Sequence, residues 1–341
     1  MRKALGSFAA LSALALTLSG CETLASIEES ILGPLPEDQQ AAAMPADGPA
    51  IVSGDTTDAP APIAGMTPTA AIASAAPADW RAIDPANLLL MDLREANGQP
   101  ARRVVIELAP AFAPVHVANI RAFTRAGWWN RSGIYRVQDN YVAQWGNGET
   151  SRGMPAGVVP VPPAEYDRDL EGQRPRPLGY RDAYAPAVGH LAGWPVAWNP
   201  RTGRVNLTHC YGMVGVGRGE APDTGSGGEL YAVIGHAPRH LDRNIAAVGR
   251  VIDGMDALSA RPRGTEALGF YKVRSSDIPI ARVTLAADLP AAQRPAYEVL
   301  DTGSAAFGRY VAARANRRDS FFATPAGGVD ICNAPVPTRK R

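Results

Sequence analysis

Lysine is nearly absent: the 341-residue chain has it only at positions 3, 272 and 340, and arginine supplies almost all of its 34 basic side chains. That bias is read as genome composition rather than function. With 33 acidic residues the formal charge is +1, and the only basic run is the terminal Arg339-Lys340-Arg341. Without a basic stripe there is no electrostatic footprint for nucleic acid, and none is expected as a partner. Histidine is scarce too. His236 and His240 stand four apart, but Pro238 between them rules out a helix that would align them, and no third ligand of suitable type is nearby. No metal and no cofactor are expected. His209, beside Cys210, is read as structural. Gly225-Ser226-Gly227 lacks the spacing of a nucleophile elbow, so no hydrolase is read there. Cysteine is limited to three, and bulky apolar residues are thin between residues 22 and 78.

What is present begins with MRKALGSFAALSALALTLSG, a positive start at Arg2 and Lys3 followed by an uncharged apolar run over residues 4–18. This reads as a secretory signal peptide over 1–20, too short and wrongly flanked for a membrane span. Leu18-Ser19-Gly20-Cys21 resembles the bacterial lipobox, whose cysteine is diacylated and becomes the mature N-terminus. Several acyl chains, each buried methylene worth roughly 0.8 kcal/mol, would hold the protein at a membrane surface. A lipoprotein facing the periplasm is therefore expected, with Glu22 after the cysteine favouring the outer membrane. The Ala/Pro-rich stretch after it has little to bury, so 21–79 is expected to be a disordered tether reaching roughly 40 Å. With Cys21 lipidated, Cys210 and Cys332 remain. In an oxidising periplasm they form either a disulfide or two buried thiols.

From Trp80 the texture changes. RVVIEL at 103–108 is β-rich. Residues 112–126 read as a helix with Pro114 in its first turn and His116, Val117, Ile120 and Phe123 on one face, stopped by Gly127. Apolar runs at 134–137 and 141–145 flank the turn-prone Asp139-Asn140. The proline-rich segment from 147 to about 208 reads as a long loop. Strand texture returns at 211–217, 229–235, 245–252 and 280–285, with a short helical turn from Met255. Short strands with two helices predict a mainly β fold, a closed antiparallel barrel with helical plugs. Residues 302–317 are helical by pattern, with Phe307, Tyr310 and Val311 expected to pack a C-terminal extension (291–341) on the barrel.

Asp-Thr-Gly-Ser occurs twice, at 223–226 and 301–304. A pair of such stretches resembles the signature of pepsin-like proteases, where two carboxylates share a proton at contact distance. The first copy follows Gly219-Glu220-Ala221-Pro222, which is no strand. The second precedes a helix, so Thr302 or Ser304 is better read as its N-cap. At 78 residues apart the copies are too close for each to end its own lobe. The repeat is an accident.

The stretch IYRVQDNYVAQWGN at 134–147 resembles the signature of cyclophilins, barrel-shaped peptidyl-prolyl cis–trans isomerases, of the form F-x-R-h-h-x-x-F-h-x-Q-x-G-D. GMVGVGRGEAPDTGSGGELY at 212–231 and LDRNIAAVGRV at 241–251 match two further blocks of that family in order. The resemblance covers about 100–260. It implies a cyclophilin-like domain over 80–290 with an insert at about 149–208, and a monomer acting on proline-containing polypeptides. It also implies a catalytic role for Arg136, with Gln144 beside it. Tyr141, Val142, Tyr231, Leu241 and Ile245 would form an apolar cup for the proline ring, with His240 at the rim.

The chemistry suits those residue types. Rotation about an X-Pro bond crosses a barrier of roughly 18–20 kcal/mol, so uncatalysed exchange takes tens of seconds or more. In the twisted amide the proline nitrogen becomes an acceptor, which a fixed guanidinium can meet. The pattern departs from the family's where His240 replaces the usual Trp, Ile245 the usual His, Gly219 an Asn and Glu229 a Gln. Those changes imply weak binding of short peptides and of cyclosporin. They also keep open a catalytically weak or inactive peptide-binding module as the alternative to an isomerase that assists folding in the cell envelope.

Overall fold

The computed structural model describes residues 65–341 apart from 97, 99, 147–152, 318–320 and 323. The expected signal peptide, Cys21 and most of the tether lie outside the described residues. In chain order, helix α1 (Pro68–Ala73) precedes β1 (Trp80–Ala82), β2 (Leu88–Leu93) and β3 (Arg102–Leu108). Helix α2 (Pro114–Arg125) and the hairpin β4 (Gly133–Val137) and β5 (Val142–Gly146) follow. The insert carries β6 (Arg168–Asp169), β7 (Arg176–Pro177), β8 (Ala187–Leu191), β9 (Trp194–Asn199) and β10 (Arg204–Leu207). Then come β11 (Met213–Val216), β12 (Leu230–Val233), β13 (Ala247–Asp253), the single-turn α3 (Asp256–Ser259) and β14 (Ile278–Leu285). The chain ends with β15 (Tyr297–Leu300), α4 (Ala305–Ala315) and β16 (Thr338–Lys340).

Eight strands close the expected antiparallel barrel, in the order β11-β12-β5-β4-β14-β2-β3-β13, with β13 returning to β11. Alternation puts Leu89, Met91, Val104 and Ile106 inside. Val117, Ile120 and Phe123 of α2 and Leu258 of α3 plug the interior. The N-terminus of α2 has no side-chain cap of its own; Glu165 of the insert takes the Val115 and His116 N–H groups at 2.8 and 3.0 Å. A carboxylate there meets orphan donors and the positive end of the helix dipole. Burial works to raise the Glu165 carboxyl, but hydrogen bonds from His116 and Val115 hold it below the ordinary carboxylate range.

Two expectations are corrected. The insert at about 149–208 is not a loop: it holds a five-stranded antiparallel sheet, β6-β10-β9-β8-β7. Its prolines do not break the ladder. Pro160, Pro162, Pro163 and Pro175 fall outside strands, Pro177 is on the edge strand β7, and Pro195 sits at the second position of β9. Just before it, Ala192 and Gly193 turn the chain with φ of 50° and 87°, the positive pair that a two-residue hairpin needs. The second correction concerns the tether, whose end is ordered. Thr67 caps α1, and Met66, Ala71 and Ile72 join the cluster around Phe307 and Tyr310.

That cluster also contains Leu88, Leu90 and Val105, the outward faces of β2 and β3, so the extension covers the barrel wall there. Phe307 and Tyr310 are buried and Val311 half-buried. Ser304 caps α4, its Oγ accepting from the Phe307 N–H at 3.1 Å. Asp301 accepts from Gly303 N–H, and Asp223 from Gly219 and Gly225. Each aspartate of the repeated tetrapeptide thus closes its own turn. A disulfide joins Cys210, at the end of the insert, to Cys332 in the extension.

A buried ion pair ties insert to barrel. Arg250 of β13 reaches Glu107 of β3 through Nε (2.9 Å) and Nη2 (2.6 Å), and donates through Nη1 to the Gly193 carbonyl at 2.7 Å. Replacing Glu107 by Leu leaves a buried guanidinium without its counter-charge and is expected to cost about 3–5 kcal/mol, read as a lower denaturation midpoint. Adding Arg250→Met should return most of it. A single variant as stable as the wild type would contradict this.

Candidate active site

In an unbroken strand Arg136 would share the barrel interior with Ile134, because alternate residues face alike. The register forbids it. Ile134 pairs with Trp145 and Arg136 with Gln144, which leaves Tyr135 as the extra residue of a bulge. Ile134 and Val137 stay in the core, while Tyr135 and Arg136 are half-buried on the outer face. Gln144 pairs in turn with Tyr231 on β12, so Arg136, Gln144 and Tyr231 form one row across three strands.

The Arg136 guanidinium is held from several sides. Nη1 donates to Gln144 Oε1 at 3.0 Å, Nη2 to Gln138 Oε1, and Nε to the Leu268 carbonyl at 2.7 Å. These bonds use three of its five donors. Its central carbon lies 5.8 Å from the Tyr141 ring centroid and 5.5 Å from that of Phe270. Partial burial lowers its proton affinity, opposed by Tyr141, Tyr135 and Tyr231, but the starting value is so high that it remains a cation.

Beside it lies the apolar cup. Val142, Tyr231 and Val233 are buried, and Tyr141, Leu241 and Ile245 pack on them as one cluster. His240 is exposed and stacks on Tyr141 at 6.0 Å with planes 3° apart. The structure thus gathers Arg136, Gln144, Tyr141, Val142, Tyr231, His240, Leu241 and Ile245 into one patch. Beneath the cup, the Tyr231 hydroxyl is 3.0 Å from His209 Nε2, and His209 Nδ1 is 2.9 Å from Asp242. Arg239 links Asp242 to Asp182 of the insert at 2.5 and 2.8 Å. Burial lifts the Tyr231 hydroxyl well above its ordinary pKa, with Tyr141 and Asp242 adding to it, so it keeps its proton.

Sequence reasoning missed three participants. Strand alternation hides Tyr135, and the bulge suspends that alternation. His209 is structural as expected, and the sequence does not show that what it supports is the cup's floor. Glu229, noted as a departure, takes the Tyr135 hydroxyl at 2.7 Å. Phe270 arrives on a segment whose backbone bonds to the edge of β4, Tyr271 N–H to the Tyr135 carbonyl and Gly264 N–H to the Val137 carbonyl, both 2.9 Å. Its one local signal is Gly269, at φ +78°, where a Cβ would fall 2.4 Å from the Gln138 Cα.

A closed antiparallel barrel with an outward cation, an amide and an apolar cup in one wall is a cyclophilin-like barrel. A solved structure bears this out for the fold: cyclophilin AquaCyp293 from Hirschia baltica superposes with a TM-score of 0.59 at 23% identity, over 76% of this chain and 93% of that one. The family model described as cyclophilin type peptidyl-prolyl cis-trans isomerase/CLD matches residues 90–284, more than half of the chain. The chain therefore belongs to the cyclophilin-type peptidyl-prolyl cis–trans isomerase family. Curated relatives from Brucella suis and Brucella abortus, each named "Probable peptidyl-prolyl cis-trans isomerase", are 25% identical over 189 residues, 54% of this chain and 76% of theirs.

Proposed function

We propose that the chain isomerises X-Pro bonds in polypeptides crossing the periplasm, as a monomeric lipoprotein held to the membrane through Cys21 and assisting their folding. One observation carries the catalytic part: the bulge at Tyr135 turns Arg136 outward next to the apolar cup. In this reading the proline ring enters the cup of Tyr141, Val142, Tyr231, Leu241 and Ile245. The amide leans on Gln144, and Arg136 donates to the proline nitrogen as conjugation is lost. Its charge strengthens that bond when the nitrogen gains acceptor character, so the twisted state gains more than either planar isomer. His240 at the rim and the missing peptide-backbone contacts weaken ground-state binding rather than this step. No nucleophile, metal or cofactor enters it.

A protease-coupled assay on an Ala-Pro peptide tests the activity. A rate equal to background and unchanged by Arg136→Ala would leave a peptide-binding module. The anchor is tested separately. Cys21→Ser should abolish palmitate labelling and move the protein from the membrane to the soluble fraction; a variant that stays membrane-bound would rule out the lipid attachment.

A further inference from the structure

The hydrogen-bonded row on the outer wall does not end at Gln144. Its Nε2 donates to the Tyr135 hydroxyl at 2.6 Å, and that hydroxyl donates to Glu229 Oε2 at 2.7 Å. The direction is dictated from both ends. A guanidinium can only donate and an ionised carboxylate can only accept. With Tyr135 donating to Glu229, its oxygen must accept from Gln144, and Gln144 must present its carbonyl to Arg136. No other orientation of the amide satisfies all the groups.

The carboxylate has a built seat. It lies over the bare Cα of Gly146, where a Cβ would fall 1.6 Å from Glu229 Oε2, and its own Cβ would be 3.1 Å from one at Gly217. The Tyr135 ring is stacked on Phe270 at 5.9 Å. Burial and the nearby Glu229 carboxylate raise the Tyr135 pKa far above its ordinary value, so the proton that sets the direction stays in place.

We infer that Tyr135 and Glu229 are positioning residues, which orient the Gln144 amide and through it aim Arg136 at the proline nitrogen. Neither needs to touch the substrate. The inference rests on Arg136 meeting the twisted amide, as proposed above. It assigns to Glu229, where the family pattern has an uncharged Gln, the anion that accepts from the Tyr135 hydroxyl and sets the direction of the chain. Its effect belongs in kcat, because a wandering guanidinium loses the twisted state while the cup still binds the proline ring.

A double-mutant cycle tests it. Tyr135→Phe keeps the ring stack and removes the relay; Glu229→Gln removes the accepting charge. Each should lower kcat by about five- to tenfold with KM within about twofold. In a Gln144→Ala background, neither change should lower kcat further, because the path to Arg136 is already cut. A structural role would give additive losses instead. The same proteins, with Arg136 followed by 15N NMR of its Nε–H, give a readout independent of turnover. Tyr135→Phe should speed exchange of that proton when Gln144 is present and not when it is absent. Equal losses in both backgrounds, or unchanged kcat and exchange in the single variants, would overturn the inference. Absent turnover in the wild type, with the exchange coupling intact, would count against isomerase activity and leave the positioning chain standing.

Discussion

Replacing Arg136 by Ala is expected to lower kcat/KM on X-Pro peptides by about 10²–10³-fold, the usual loss when one preorganised donor to a transition state is removed. The barrel should stay folded. The guanidinium sits on the outer face, and the core residues on either side, Ile134 and Val137, are untouched. Arg136→Lys is the sharper variant, because it retains the charge. A lysine ammonium is a single point on a flexible stem, and it cannot span Gln144, Gln138 and the Leu268 carbonyl at once. If aim matters more than charge, Arg136→Lys should recover less than a tenth of the lost rate. Full recovery would show that any cation at the rim suffices.

Opening the Cys210–Cys332 bridge should produce a large loss of stability without touching the groove. The bridge spans 122 residues of sequence, for which the chain-entropy model gives about 5 kcal/mol, and native bridges typically contribute about 2–4. In a folded unit of this size each kcal/mol moves the midpoint by about 2–4 °C, so Cys332→Ala should melt roughly 5–15 °C lower. The bridge crosses between two packed parts: Cys210 joins insert to barrel, and Cys332 lies in a short turn of the extension. Losing it should loosen the extension before the barrel. Peptide mass spectrometry without reductant should find the two cysteines linked; two free thiols and an unchanged midpoint in Cys332→Ala would refute this prediction.

The insert shows why part of the fold escaped the sequence. Proline density at 155–177 and in Trp194-Pro195-Val196 suggests a loop, because proline cannot donate to a ladder. Yet an edge strand, or a place next to a tight turn, tolerates it, and only knowledge of the neighbouring strands reveals which positions those are. Helix α1 escaped for a related reason. An Ala/Pro-rich segment cannot bury enough by itself to offset its ordering entropy. Here the partner surface of α4, far away in sequence, supplies the missing contacts.

By itself, the sequence determined the barrel, the plugging helix, an N-cap at Thr302 or Ser304, and, through its resemblance to the family, the company of Arg136, Gln144 and the cup residues. The elements follow from short-range periodicity and turn chemistry, which are properties of neighbouring residues; the grouping of the site residues follows from ordered motifs shared with the family. Tertiary structure alone decided which way Arg136 points, through a one-residue slip of β4 against β5. It also brought Glu229, His209 and Phe270 to the groove from strands and loops remote in the chain. Side-chain facing in a sheet follows alternation until a bulge shifts it by one residue, and a bulge exists only in the pairing of two strands.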